Sequence, residues 1–283
     1  MKNHSLPVAF PSRQRGFSLT EVMIAVVVGL VLTIVVSQVF LGNKDAFRTQ
    51  DDASRIAENA RFIQLVLNRT IRNTGYTYWN PSGGQQFRSA WTGKTQLAGA
   101  NGTGPGGSDE VTVSFYGSSQ IAGGAQDGTV LTCHGVGVSD STAINPASNR
   151  FFVATGGDGR PALFCTSVYN GITLTRELVP GVESFQVLYG EDKSADYVPD
   201  RWVPAGTGGL DMTKVVALRI GVVLASPNIN TATEADTRTY HVFGDDYPLE
   251  GADTGTAFVP ATANNKRLRK LYSYTVALRN RVQ

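Results

Sequence analysis

The sequence predicts an α+β protein: a long N-terminal α-helical spine packed on a C-terminal globular domain rich in antiparallel β-sheet. Three observations carry this. Residues 17–41 form an unbroken apolar run with one ionisable side chain, Glu21. From Phe40 to Ile71 apolar residues recur at a helical period among charged ones. From Glu110 onward, short apolar and β-branched segments alternate with Gly, Asn, Asp and Pro, which is the pattern of strands joined by turns.

The apolar run, FSLTEVMIAVVVGLVLTIVVSQVFL, is 25 residues long, within the range of about 17–25 for a membrane-spanning helix. The 16 residues before it carry Lys2, Arg13 and Arg15 and no acid. Basic residues ahead of a single span predict a cytoplasmic N-terminus and export of everything after Leu41. The run exceeds the roughly 7–15 residues of a secretory signal core, and no small-x-small cleavage site follows it, so it is expected to stay in the mature chain. An acid inside such a segment is costly and points to function, which singles out Glu21.

The residues around that acid, RQRGFSLTEVMIAVVVGL, resemble the type IV prepilin signal. The resemblance implies that a prepilin peptidase cuts between Gly16 and Phe17 on the cytoplasmic side and N-methylates Phe17. Glu21 would then be the fifth residue of the mature chain, and its carboxylate would pair with the terminal ammonium of a neighbouring subunit. An ordinary signal anchor with Glu21 near the interface is the bland alternative, and it leaves the Gly16-Phe17 junction unexplained.

Loss of residues 1–16 would remove three bases and no acid, moving the formal charge from +2 to −1. Bulk electrostatics therefore point to no nucleic-acid partner. The two cysteines, Cys133 and Cys165, both fall on the exported side, and an even count in an oxidising compartment predicts one disulfide. They are 32 residues apart with no CxxC unit, which argues against a metal or redox pair. His134 is expected to be a strand residue beside this staple.

The helix is expected to continue past Leu41. Phe40, Phe47, Ile56, Ala60, Ile63, Leu67 and Ile71 form the apolar stripe, while Arg48, Asp51, Asp52, Arg55, Glu58 and Arg61 occupy other positions. Gly42 weakens the junction by about 1 kcal/mol, and Asn73-Thr74-Gly75 supplies a stop. The predicted organisation is a leader at 1–16, a transmembrane helix at 17–41, an amphipathic helical half at 42–75 and an exported β-rich domain at 76–283. Residues 76–108 read as a surface segment, and the run GANGTGPGGSD within it as a flexible loop; a phosphate loop is rejected because no strand leads in and no Lys-Ser/Thr pair is present. Strands are expected at Glu110–Tyr116, Thr129–His134, Arg150–Ala154, Ala162–Thr166, Ile172–Val179, Val182–Tyr189, Val215–Ala225 and Thr239–Phe243, with both cysteines in strands. Val215–Ala225 is almost wholly apolar and so reads as a central strand covered on both faces, one of them by the amphipathic helix.

Four further stretches are similar to the PilW family of minor pilins: KDAFRTQDDASRIAENARFIQLVLNRTIRNTGY, GVESFQVLYGEDKSADYVPDRW, KVVALRIGVVLAS and RLRKLYSYTVALRNR. With the leader they reach from residue 13 to the end, most weakly over 76–160. The resemblance implies a low-abundance pilin that initiates pilus assembly near the filament tip, held in the inner membrane with a periplasmic domain. Its implied partners are prepilin peptidase, other minor pilins and the major pilin, the inner-membrane assembly platform and a tip adhesin. A minor pseudopilin of a type II secretion system shares the leader and spine and is the first alternative. A tip-displayed module binding DNA or another ligand is the second.

Two clusters bear on ligands. Asp192, Ser194, Asp196 and Asp200 stand at offsets 1, 3, 5 and 9 of an acidic turn, the oxygen-ligand spacing of a Ca²⁺ loop. Tyr197 and Val203 replace the usual Gly and bidentate Glu, so a solvated turn competes with a structural Ca²⁺; no other cofactor is expected. Lys266, Arg267, Arg269 and Lys270, beside Tyr272 and Tyr274, could track a nucleic-acid backbone. The preferred reading is the charged start of a strand that turns Tyr272, Tyr274, Val276 and Leu278 to one face. Catalysis is not expected: the histidines are His4, His134 and His241, and no nucleophile elbow, HExxH or Walker loop occurs.

Overall fold

A computed structural model describes residues 16–77, 91–120, 124–141, 145–229, 232, 234–244, 257–260 and 266–280. The leader up to Arg15 and the part of the 76–108 segment from 78 to 90 lie outside the described residues. The chain divides into two compact units, residues 1–48 and 49–283.

Helix α1 (Leu19–Ile71) is 53 residues long. Within the first unit its side chains are exposed throughout, including Val22, Leu30, Val36 and Phe40. Thr33 and Ser37 each donate a hydroxyl hydrogen bond to the carbonyl four residues earlier, at 2.8 and 2.7 Å, so these two hydroxyls are satisfied within the helix. Phe47, expected on the buried stripe with Phe40, is 72% exposed. The buried stripe begins in the second unit and reads Asp52, Ile56, Ala60, Ile63 and Leu67 in steps of three and four, with Thr70 and Ile71 three and four residues further on, so that one face stays inward. Full burial of each Ile or Leu contributes about 1.5–3 kcal/mol. The helix ends where Gly75 adopts φ +73°, and its N–H donates to the carbonyl of Ser114.

Eleven strands follow among the described residues: β1 (Leu97–Ala100), β2 (Glu110–Phe115), β3 (Ala147–Thr155), β4 (Pro161–Tyr169), β5 (Ile172–Pro180), β6 (Val182–Glu191), β7 (Arg201–Pro204), β8 (Val215–Ala225), β9 (Tyr240–His241), β10 (Ala257–Phe258) and β11 (Arg269–Ala277). Strands β1 to β5 form an antiparallel meander, and β11-β8-β6-β7 form a second antiparallel sheet; β9 and β10 make a short pair. Strand β8 has β11 on one side and β6 on the other, and ten of its eleven residues are buried, as its continuous apolar run requires. One core holds Ile56, Ile63, Leu67 and Ile71 of the helix with Phe115 and Phe151 of the first sheet and Phe185, Leu218 and Ile220 of the second.

Several expectations are corrected. Residues 129–134 form no strand; the segment makes only an isolated bridge, Leu131 to Gly137, and Cys133 and His134 lie in a turn. A covalent tie fixes that turn, so ladder pairing is not needed to hold it. The strand expected at 239–243 shortens to Tyr240–His241. The Gly-rich run is not all loop: Gly99 and Ala100 belong to β1, and at its end the Asp109 carboxylate accepts from the N–H of Gly102 and of Val187, each at 2.8 Å. Gly99 in this run is required by packing: a Cβ there would lie 1.8 Å from the Tyr189 hydroxyl.

Candidate functional site

Gly16 and Phe17 precede the first helical turn and are exposed, Phe17 at 86%. Ser18 is the N-cap. Its carbonyl accepts from Val22 N–H at 3.2 Å, its hydroxyl accepts from Glu21 N–H at 3.2 Å, and its own N–H donates to Glu21 Oε2 at 3.0 Å. This reciprocal pair is a capping box, and it satisfies two backbone donors that a helix start otherwise leaves open. Glu21 thus acts as an N-terminal clasp in the single chain. The spacing Ser18-x-x-Glu21 is a signal of this box that the sequence itself carries. An ionised carboxylate has several acceptor sites, so the clasp leaves capacity for an ammonium. The negative charge also lies at the positive end of the helix dipole.

In the second unit Cys133 and Cys165 are joined by a disulfide with an S–S distance of 1.99 Å. The bond ties the turn at 132–135 to β4, and Cys133 N–H donates to Asn149 Oδ1 at 3.1 Å on the neighbouring β3. His134 Nδ1 lies 2.8 Å from Ser167 Oγ. Burial pushes the imidazole below its ordinary pKa and the Arg176 guanidinium adds to this, both disfavouring the charged ring.

The acidic turn uses its oxygens internally. Asp192, almost fully buried, accepts from Ala195 N–H and Tyr197 N–H, both at 2.7 Å. Asp196 accepts from Val198 N–H at 2.9 Å, and Asp200 from the N–H groups of Lys193 and Ser194 at 2.6 and 2.9 Å. Bonds from the Ser194 and Lys193 amides hold the Asp200 carboxyl below the usual range. Ala195 and Tyr197 take φ of +63° and +66°, a left-handed bend that these bonds stabilise. No group of three metal-ligating acids, cysteines or histidines occurs among the described residues. The amide bonds to Asp192, Asp196 and Asp200 account for the shape of the turn that also carries Ser194.

The basic cluster also turns inward. Arg269 is buried and forks onto Glu183, with Nε to Oε2 at 2.6 Å and Nη2 to Oε1 at 3.2 Å. Arg267 Nη1 donates to the carbonyls of Ser226 and Pro227 at 2.6 and 2.7 Å. Lys270 is exposed and Lys266 half-buried. Two of the four cations are thereby committed to the fold.

Comparison with known proteins follows from this geometry. The family model described as Type IV Pilus-assembly protein W matches residues 150–280, and the prokaryotic N-terminal methylation motif matches residues 11–37. The chain is thus similar to PilW over residues 150–280 and carries the methylation motif over residues 11–37. The methylation motif covers Gly16, Phe17 and Glu21, and the PilW segment runs from β3 to just beyond β11. Among solved structures, a type IV-like pilin from Thermus thermophilus is similar, at 18% identity over 81% of this chain and 99% of that one, with a TM-score of 0.48. No curated protein matches. The PilW-like chain therefore combines a methylation-motif helix with a two-sheet domain stapled by one disulfide.

Proposed function

We propose that the protein is a minor type IV pilin that helps to initiate pilus assembly near the filament tip. Prepilin peptidase removes residues 1–16, cutting between Gly16 and Phe17, and methylates the new amine of Phe17. Residues 17–41 anchor the chain in the inner membrane with the N-terminus cytoplasmic, and the β-rich domain is periplasmic until the subunit enters the filament. Glu21 then docks on the amine of a neighbouring pilin. Other minor pilins, the major pilin and the assembly platform are its partners, and its role is structural rather than catalytic.

The observation that carries this reading is the union in one chain of the methylation motif at 11–37 and the PilW segment at 150–280. The apolar exposed helix and the N-terminal carboxylate of Glu21 support it physically, since a bare apolar helix needs lipid or neighbouring helices and an acid in lipid needs a cation. The test is the intact mass and N-terminal residue of the protein from cells with and without prepilin peptidase. Loss of residues 1–16 with a methylated Phe17, only when the peptidase is present, is expected. A Met1 start in both strains would overturn the reading.

A further inference from the structure

The second unit holds a cleft of about 400 Å³ that goes beyond the assembly role. One wall is the loop from Gly124 to Ser139; the other is the hairpin of β4 and β5. Ties between the walls fix the space. The disulfide from Cys133 to Cys165 lies beside it, one residue from Thr132 on the loop and two from Ser167 on β4, both of which line the cleft. The Tyr169 hydroxyl accepts from Ser139 N–H at 3.0 Å and lies 3.1 Å from Ser139 Oγ, closing the walls a second time. The loop wall is itself well packed: a Cβ on Gly137 would lie 1.2 Å from Gln126 Oε1, so that amide rests flat on the backbone.

The lining has a narrow chemistry. Hydroxyls come from Thr132, Ser139, Ser167 and Tyr169, and amides from Gln126 and Asn170. Ile172, Leu174 and Val136 supply apolar surface. No Asp, Glu, Lys, Arg or His lines the cleft among the described residues. Such a set offers nothing to neutralise a phosphate, a carboxylate or an ammonium, and a wholly aliphatic chain would leave its hydroxyls and amides without partners from the ligand. It suits a ring with a hydroxyl rim and C–H faces, and the volume falls in the range of about 300–1,000 Å³ for small-molecule sites. We infer that this disulfide-pinned cleft binds a neutral saccharide of one or two pyranose rings, with the amides and hydroxyls reading its hydroxyls and Leu174 and Ile172 packing on a C–H face.

Saturation-transfer NMR on the full mature chain tests this, in a phosphocholine micelle so that no glycoside detergent competes. The probes are glucose, galactose, mannose, N-acetylglucosamine and their disaccharides, with glucuronate, sialic acid and inorganic phosphate as charged comparisons. At least one neutral sugar is expected to bind with a Kd of about 1 mM or tighter, and none of the charged probes. Leu174→Trp, which fills the cleft from a half-buried edge position, should weaken binding at least about tenfold. Gln126→Ala, from the opposite wall, should weaken it too, and Val168→Thr on the other face of β4 should leave it unchanged. Near-UV circular dichroism checks that each variant is folded. Binding of no neutral sugar at about 10 mM, binding of charged probes alone, or binding unmoved by both cleft variants would overturn the proposal.

Discussion

Asn228 donates its side-chain amide to the buried carboxylate of Asp52 at 2.8 Å, across 176 positions of sequence. Asp52 heads the buried stripe of α1, so this bond ties the first inward turn of the helix in the second unit to the segment after β8. A hydrogen bond to a charged group contributes about 1.5–3 kcal/mol. Asn228→Ala should lower the unfolding free energy by that amount in denaturant titrations of the full chain in micelles. Asp52→Asn, which still presents an acceptor, should cost less than Asp52→Ala.

The helix clasp of Glu21 and its proposed docking role are separable. Gln at this position keeps the capping box with Ser18 but has no charge, so Glu21→Gln should leave helix content unchanged and remove the chain from sheared pilus fractions. Ser18→Ala should do the reverse, costing about 1 kcal/mol of helix stability while incorporation persists. Immunoblots of sheared filaments against membrane fractions make the comparison. If both variants assembled normally, Glu21 would have no docking role.

The disulfide closes a 32-residue separation. On the chain-entropy model, its removal costs about 3–4 kcal/mol. Cys133→Ser with Cys165→Ser should therefore shift the urea midpoint downward, with the slope changed because the unfolded chain is no longer cross-linked. Single and double variants should fall equally.

Arg269 and its acids predict both a mutational and a pH effect. Removing one partner of a buried ion pair costs about 3–5 kcal/mol, so Arg269→Ala should be among the most destabilising single changes; Arg269→Lys keeps the charge, loses the fork to Glu183, and should recover only part. Asp236 lies 3.6 Å from Arg269 Nη1 and is bound by Arg238 Nε at 3.0 Å and by the Tyr240 hydroxyl. Burial alone would raise its pKa, but the bonds from Arg238 and Tyr240 outweigh it and hold the carboxyl at about 2, against an ordinary 3.8. A depressed acid stabilises the fold above its unfolded pKa, and that contribution, about 2 kcal/mol, is lost as pH falls from about 4 to about 2. Denaturation midpoints measured across that window should fall in the native chain and flatten in Asp236→Asn.

Local pattern made much of this architecture readable. Helix α1 and strand β8 each carry one uninterrupted signal, a period of 3.6 and a continuous apolar run, and both appear within a few residues of the expected span. Strand β1, Leu-Ala-Gly-Ala, has almost no β-propensity of its own and forms because β2 offers it an edge. Strand β7 ends in Pro204, which an edge strand tolerates. Residues 129–134 looked like a strand because Val130, Leu131 and Cys133 are strand formers, yet the disulfide decides their conformation. The fork of Arg269 on Glu183 spans 86 positions and has no local signature. The cleft was likewise hidden, since its walls meet through the staple and through the contacts of His134 with Ser167 and of Ser139 with Tyr169, all distant in sequence.

The order of strand pairing has a consequence for synthesis. Each strand from β1 to β5 pairs with its sequence neighbour, so in an exported domain this meander can close as soon as residue 180 has crossed the membrane. Strand β8 must wait for β11, which pairs with it register for register from Arg269 opposite Ala225 to Ala277 opposite Ala217. Until those last residues arrive, an almost wholly apolar strand presents an open edge, the feature that quality-control proteases and chaperones recognise. A premature stop after Ser226 would therefore yield a chain with its first sheet complete and its second sheet exposed, destined for degradation.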